Sequence, residues 1–208
     1  PIAAIEAADD KALTHFHLAA HGLPQPKTIA APLTYAGLGY TNLDFLDPAA
    51  EYLGFPLVIK ERHGSFGWQV YLANTYDEAA TILREHAPAL MILQEYIGGH
   101  VGEDIRIYVV GGRAIAAIRR QNPRDFRANV SAGATAEAYT PSPEEEALAL
   151  AAARALELDF AGIDLLAGPT GPLLCEVNSN AHFLGLTTTT GVDAAGAILA
   201  HIRESINA

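Results

Sequence analysis

Apolar residues fall in short bursts along this chain, each stopped by glycine, proline or asparagine, and the bursts change period from one to the next. Residues 9–21 (DDKALTHFHLAAH) carry helical spacing, opened by Asp9 or Asp10 as N-cap and stopped by Gly22 and Pro24. Residues 24–31 lead into a short strand. A loop rich in Gly, Tyr, Asn and Pro follows as far as Pro48, and 48–53 reads as a short helix. FPLVIK, 55–60, is a compact apolar run of strand length, and HGSFG, 63–67, is a turn with two glycines. Residues 68–73 resume a strand, which makes a hairpin. Residues 76–86 are helical, with Asp77 and Glu78 in the first turn where acids favour the helix dipole. LMILQEYI, 90–97, is a further strand ending at Gly98-Gly99.

The second half repeats the mixture. Strands at 105–110 and 114–119 flank a Gly111-Gly112 hairpin turn, and 123–135 is polar and loop-like. An alanine-rich helix is predicted over 144–158, with Ser142 as N-cap and Pro143 at its first position. Strands at 160–167 and 172–177 are separated by Gly168-Pro169-Thr170-Gly171, and 191–207 is a closing helix. The order is mixed α+β with several hairpins, not a regular βαβ alternation, and no long-period repeat is visible.

Composition narrows the picture. With 208 residues, half of them apolar, the chain can bury a sizeable core. Thirteen Lys+Arg against 24 Asp+Glu leave a net charge of −11, which argues against a general nucleic-acid binder or an anionic-membrane protein. The single cysteine, Cys175, excludes a disulfide framework or a multi-cysteine zinc site and points to a reducing cytoplasm. No apolar run approaches the roughly 20 residues of a spanning helix, and no cationic leader opens the chain. Pro1 is not Met, so either an initiator was removed or sequence lies upstream.

Candidate chemistry concentrates near the last hairpin. Glu176 and Asn178 are two apart in a strand and leave the same face. A turn centred on Thr170 would set Asp164 opposite Glu176, with Cβ atoms about 5 Å apart. Two carboxylates so placed repel unless a cation lies between them, and two carboxylates plus an amide suit Mg²⁺. In another register Asp164 merely caps a strand edge. Lys60 closes an apolar strand just before the HGSFG turn, which reads either as a phosphate cradle or as a snorkelling lysine beside an ordinary turn. Arg106, Arg119, Arg120, Arg124 and Arg127 gather within twenty-two positions, as an anion pocket or as a solvated face. Cys175 adjoins Glu176 and is expected to point to the opposite face, into a core. Asn129-Val130-Ser131 matches a glycosylation sequon, without consequence in a cytoplasmic protein.

Taken in order, seven stretches resemble the ATP-grasp superfamily, and within it the RimK-like carboxylate–amine (α-L-glutamate) ligases. They are Asp10-Lys11, FPLVIKERHGSFGWQV, ILQEYIGGHVGEDIRIYVVGGRAIAAIRR, DFRANVSAGA, FAGIDLL, LLCEVNSN and TTGVDAAGAI. The resemblance implies two α+β subdomains with mostly antiparallel sheets, 9–94 and 95–208, clasping ATP, without the N-terminal domain that usually precedes them. It implies that Lys11 and Lys60 contact the phosphates and that the loop with Ser65 and Gly67 closes over them. Glu95, Tyr96 and Ile97 would form the hinge at the adenine edge, with Asp104 at the ribose. Arg127 and Asn129 would face the phosphates and the acyl group, and Asp164, Glu176 and Asn178 would ligate Mg²⁺, or Mn²⁺ in its place. The implied reaction joins a small-molecule or peptide carboxylate to an amino-acid amine such as glutamate through an acyl phosphate, releasing ADP and phosphate. A nucleotide-binding module inactive on its own and an ATP-grasp kinase are the alternatives, and a homo-oligomer is compatible with either. One departure stands out. After EVN such ligases carry small residues, Pro and Gly, whereas this chain has Ser179-Asn180-Ala181-His182-Phe183 on the acceptor side.

Overall fold

The computed structural model describes residues 1–65, 67–129 and 133–207, and its architecture is α+β, with two antiparallel sheets facing one another across a cleft. The first sheet runs in the order β1 (Thr28–Ala30), β4 (Met91–Glu95), β2 (Leu57–Glu61), β3 (Val70–Ala73). One face of it carries α3 (Leu46–Leu53) and α4 (Tyr76–Glu85), and Leu57, Ile59, Leu93 and Ala73 are buried there against Leu46, Ala79 and Leu83. Period-2 alternation therefore sends Val58 and Lys60 of β2 to the opposite face, into the cleft.

The second sheet is ordered β7 (Thr135–Tyr139), β6 (Arg113–Gln121), β5 (Glu103–Val110), β8 (Phe160–Gly168), β9 (Gly171–Asn178). Ile105, Ile107, Val109, Ile163, Leu165 and Leu174 pack on α5 (Pro143–Ala155), whose Leu148, Ala149, Ala152 and Ala153 close the larger core. α5 begins with a full capping box. The Ser142 hydroxyl accepts from the Glu145 amide, and the Glu145 carboxylate accepts from the Ser142 amide at 2.7 Å. The N-terminal helices α1 (Ile2–Asp9) and α2 (Lys11–Ala20) bury Ala7 and Leu18 in this same core, which carries Lys11 to the edge of the cleft. α6 (Leu184–Thr190) and α7 (Ala194–Ile206) complete the chain.

Four elements differ from the hydrophobic pattern, each for a local reason. The helix read over 9–21 starts at Lys11, because the Asp10 carboxylate caps it by accepting from the Ala12 and Leu13 amides, and the separate α1 precedes it. β7 is an edge strand with mostly exposed or half-exposed positions, so it shows no apolar run. α6 contains four consecutive threonines, poor helix formers, and is held by fully buried Leu186 and by Gly191 in a left-handed C-cap at φ 74°. That cap cuts the helix read over 191–207, and α7 starts at Ala194 behind Asp193.

Candidate active site

The cleft-facing side of the larger sheet is a grid of polar residues. Across β5, β8 and β9, Arg106 pairs with Asp164 and Asp164 with Glu176; in the next row Tyr108 pairs with Gly162 and Gly162 with Asn178. The predicted Asp164–Glu176 pairing is thus present, though by a different route from the one argued on sequence. The turn joins Gly168 to Gly171, and a β-bulge beside Asp164 inserts one extra residue in β9 that brings Glu176 into register. The bulge also corrects the expectation for Cys175. Leu174 and Val177, three apart, are the residues buried in the core, while Cys175 and Glu176 both line the cleft. Burial pushes the Cys175 thiol up, against the pull of nearby Lys60, so it stays protonated and a poor nucleophile.

Every predicted site residue except Asn178 lines this one cleft; Asn178 lines a second cleft that adjoins it and shares Lys11, Ser65, Asn129 and Glu176. Lys60 is 8% exposed, and its ammonium meets only neutral partners, donating to Gln94 Oε1 at 2.8 Å and lying 3.8 Å from Cys175 Sγ. Among the described residues no carboxylate lies within ion-pair distance of it. A buried cation without a counter-ion is costly unless an anion arrives from outside. Lys11 is held next to the capping Asp10, which also receives a two-pronged Arg62. Burial would raise the Asp10 pKa, but Arg62 and the two capping amides hold it below the usual range.

The glycine loop is tied from both sides. Lys11 Nζ donates to the Gly64 carbonyl at 2.8 Å and lies 3.4 Å from Glu176 Oε1, and Arg127 donates to the Gly67 carbonyl at 2.8 Å. Gly67 sits at φ 75°, and a Cβ there would lie 2.6 Å from Asn129 Oδ1, so only glycine lets the loop close against Asn129. Phe66 of HGSFG, Val130 to Ala132 of DFRANVSAGA and hence the sequon serine lie outside the described residues. At the far end, the Glu95 carboxylate accepts from the Lys27 amide at 2.8 Å, which anchors the strand end where Tyr96 and Ile97 line the cleft.

The five gathered arginines divide. Arg106, partly buried, grips Asp164 at 2.5 and 2.6 Å, and Arg120 bridges Asp104 at 2.6 Å and Asp164 at 3.0 Å, these last three all buried. Arg119 instead points to the other side of β6, toward Glu103 and Glu137 and over the Tyr139 ring. Arg127 is held by Asp125 at 2.7 Å in the cleft wall. Asp104, expected at a ribose, lies in this buried network, where burial foremost raises its pKa to about 6 despite Arg120. Burial works to raise Asp164 as well, but Arg106 and Arg120 outweigh it and hold that carboxyl below the usual range, hence ionised.

The donor set fits a hard divalent cation. Asp164 is kept charged, Glu176 lies beside it in register, and Asn178 Nδ2 donates to the Gly162 carbonyl at 3.4 Å, leaving the amide oxygen as its acceptor atom. Gly162 puts no side chain between them. Among the described residues no three His, Cys, Asp or Glu groups converge. Gln94 and Tyr108 are not among the expected site residues, Arg106 is expected only as one of the five gathered arginines, and Cys175 is expected in the core. Arg106 and Tyr108 are legible in principle, as positions alternate with Asp104 along β5.

Residues 8–202 match the model of the RimK-like ATP-grasp domain. A protein of Xanthomonas oryzae pv. oryzae (strain MAFF 311018) named "Probable alpha-L-glutamate ligase" is 38% identical over 214 residues, covering 99% of this chain and 68% of that protein. One of the same name from Parasynechococcus marenigrum (strain WH8102) is 36% identical over 205 residues, covering 97% of this chain and 42% of its own length. The chain thus spans between about two fifths and two thirds of these relatives. Among solved structures, the ATP-grasp ligase PsnB complexed with minimal precursor, Mg and ADP superposes with a TM-score of 0.71 at 23% identity, covering 96% of this chain and 60% of that one.

Proposed function

The chain belongs to the RimK-like ATP-grasp family, and from that membership we propose that it is the ATP- and Mg²⁺-dependent core of a ligase that joins a carboxylate to an amino-acid amine. The observation that carries the reading is Lys60, a buried cation facing the cleft with neutral partners only, opposite Asp164, Glu176 and Asn178. We read 9–94 and 95–208 as the two lobes and the cleft between their sheets as the nucleotide site, with Glu95, Tyr96 and Ile97 at the base and Asp104 toward the ribose.

In this reading Lys60, Lys11 and Arg127 spread the charge of the phosphates, and Asp164, Glu176 and Asn178 hold the metal. Bound there, Mg²⁺ would neutralise phosphate charge and polarise the transferred phosphorus. The substrate carboxylate attacks the γ-phosphorus and ADP leaves. The amine nitrogen then attacks the acyl carbon, loses a proton and expels phosphate. Asn129, beside the closed glycine loop, faces the acyl group, and the loop excludes water that would hydrolyse the acyl phosphate. No side-chain nucleophile is needed, in keeping with the protonated Cys175. Both relatives are named for glutamate ligation, and L-glutamate is the amine we propose, in a reducing cytoplasm suited to a lone cysteine. Among the described residues no helix is long and apolar enough to cross a membrane. Screening amino acids in pairs for ADP release tests the proposal. Release that depends on Mg²⁺ and on both an acid and an amine supports it, and release of ADP by water alone opposes it.

A further inference from the structure

Lys60 reaches the cleft beside a row of side chains that crosses the smaller sheet. Thr28 of β1 lies opposite Gln94 of β4, Gln94 lies opposite Val58 of β2, and Lys60 stands two residues from Val58 on the same face. Three hydrogen bonds join these positions. Lys60 Nζ donates to Gln94 Oε1 at 2.8 Å, Gln94 Nε2 donates to Thr28 Oγ1 at 2.9 Å, and Thr28 Oγ1 donates to the Pro26 carbonyl at 2.9 Å. Gln94 is 6% exposed, so water has little room to replace these partners.

The donors and acceptors fix the direction of the row. A backbone carbonyl accepts and cannot donate, so the single Thr28 hydroxyl hydrogen goes to Pro26 and the Thr28 oxygen is left as an acceptor. That oxygen faces the NH₂ side of Gln94, which turns the amide oxygen toward Lys60. With the amide reversed, two groups that only donate, NH₂ and ammonium, would meet, and the Thr28 hydrogen would have to leave Pro26. The carbonyl at the end of the row is itself anchored. Pro26 is buried, the Pro24 carbonyl accepts from the Leu174 amide of β9 at 2.9 Å, and the Lys27 carbonyl accepts from the Glu95 amide at 2.9 Å. The row also contains no negative charge. An amide holds the ammonium in place and leaves its charge for a phosphate, whereas a carboxylate at position 94 would neutralise it.

Resting on the reading that Lys60 contacts the nucleotide phosphates, we propose that Thr28 is a positioning residue for nucleotide binding: its hydroxyl sets which way the Gln94 amide faces, and the amide oxygen holds the Lys60 ammonium in the cleft with its charge uncancelled. Thr28 is not part of the cleft lining, so it acts through Gln94.

Calorimetric titration of the full chain with Mg·ADP and, separately, with adenosine tests the assignment. Thr28→Val keeps the shape and β-branching of the side chain and removes the hydroxyl. It should weaken Mg·ADP about three- to tenfold, the size of one hydrogen bond, and leave adenosine within about twofold, because a nucleoside offers Lys60 no phosphate. Thr28→Ser, which restores the hydroxyl, should bind both ligands as wild type does. Gln94→Glu should weaken Mg·ADP by more than about tenfold, since the carboxylate pairs with Lys60 and repels phosphate. A Thr28 that merely supports the edge strand would lower the affinity for both ligands equally, or for neither, and either result in Thr28→Val overturns the proposal alone. So does undiminished Mg·ADP affinity in Gln94→Glu, or a Thr28→Ser as weak as Thr28→Val. Unchanged Mg·ADP affinity in Lys60→Met, or no Mg·ADP binding by wild type, overturns the nucleotide reading of the cleft and the proposal with it.

Discussion

Lys60→Met separates the phosphate-binding role of this lysine from any role in the fold. Methionine keeps the length of the side chain in β2 and removes its charge. A phosphate oxygen about 4 Å from the ammonium, at an effective dielectric near 20, is attracted by about 4 kcal/mol. Some of that is lost to desolvation, so a fall in nucleotide affinity on the order of 100- to 1000-fold is expected. The assay is the shift in melting temperature on adding Mg·ADP at about 100 times the wild-type Kd. There, binding should stabilise the fold by about 2.7 kcal/mol, or roughly 5–10 °C for a chain of this size. At the same concentration Lys60→Met should shift by less than about 2 °C. Each variant is compared with its own apo melting point. Leaving Gln94 Oε1 without its donor, at about 1–3 kcal/mol, therefore does not enter the comparison. Lys27→Met is the control, since Lys27 lies over the Tyr52 ring, 5.1 Å from its centroid, and is not part of the cleft lining. A full shift in Lys60→Met would refute the reasoning.

Other outcomes follow from single contacts. The folded-state pKa of Asp104, about 6, lies above its ordinary 3.8, so its contribution to stability is complete below that value and lost as pH rises through 6. Asp104→Asn escapes this loss and should gain on wild type by on the order of 3 kcal/mol between pH 4 and pH 7, read from urea midpoints; a flat or falling difference contradicts it. Gly67→Ala should weaken Mg·ADP binding and speed proteolysis of the 63–67 loop with an unchanged far-ultraviolet spectrum, because the Cβ meets Asn129 at a positive φ. Ser142→Ala should cost about 1 kcal/mol in urea denaturation and leave Mg·ADP affinity unchanged, as α5 lies behind the sheet, away from the cleft.

The strands bearing the site were legible because they alternate. From Asp104 to Val110 every second side chain is apolar and faces α5, so Asp104, Arg106 and Tyr108 must share the other face. The last hairpin was legible only in part. Counting outward from Thr170 reached the right partner for Asp164, but the extra residue of the bulge shifts the period of β9 and turns Cys175 toward Lys60. Nothing in a local pattern announces a bulge. β7 and α6 were hidden for a related reason, because their stability comes from neighbours: the pairing of β7 with β6, and the burial of Leu186. The candidate residues were found through ordered motifs, and all but Asn178 line one cleft. The ion network beneath them depends on register between β5, β6 and β8, which motifs do not contain.

The central claim is that a carboxylate is activated at phosphorus in this cleft, and transfer of oxygen-18 tests it most directly. An acid that supports ADP release is supplied with its carboxyl oxygens labelled, together with Mg·ATP and L-glutamate, and the phosphate is examined by mass spectrometry. The account predicts one labelled oxygen in each phosphate released, along with an amide product. Unlabelled phosphate, or a phosphoester with no amide, would contradict it.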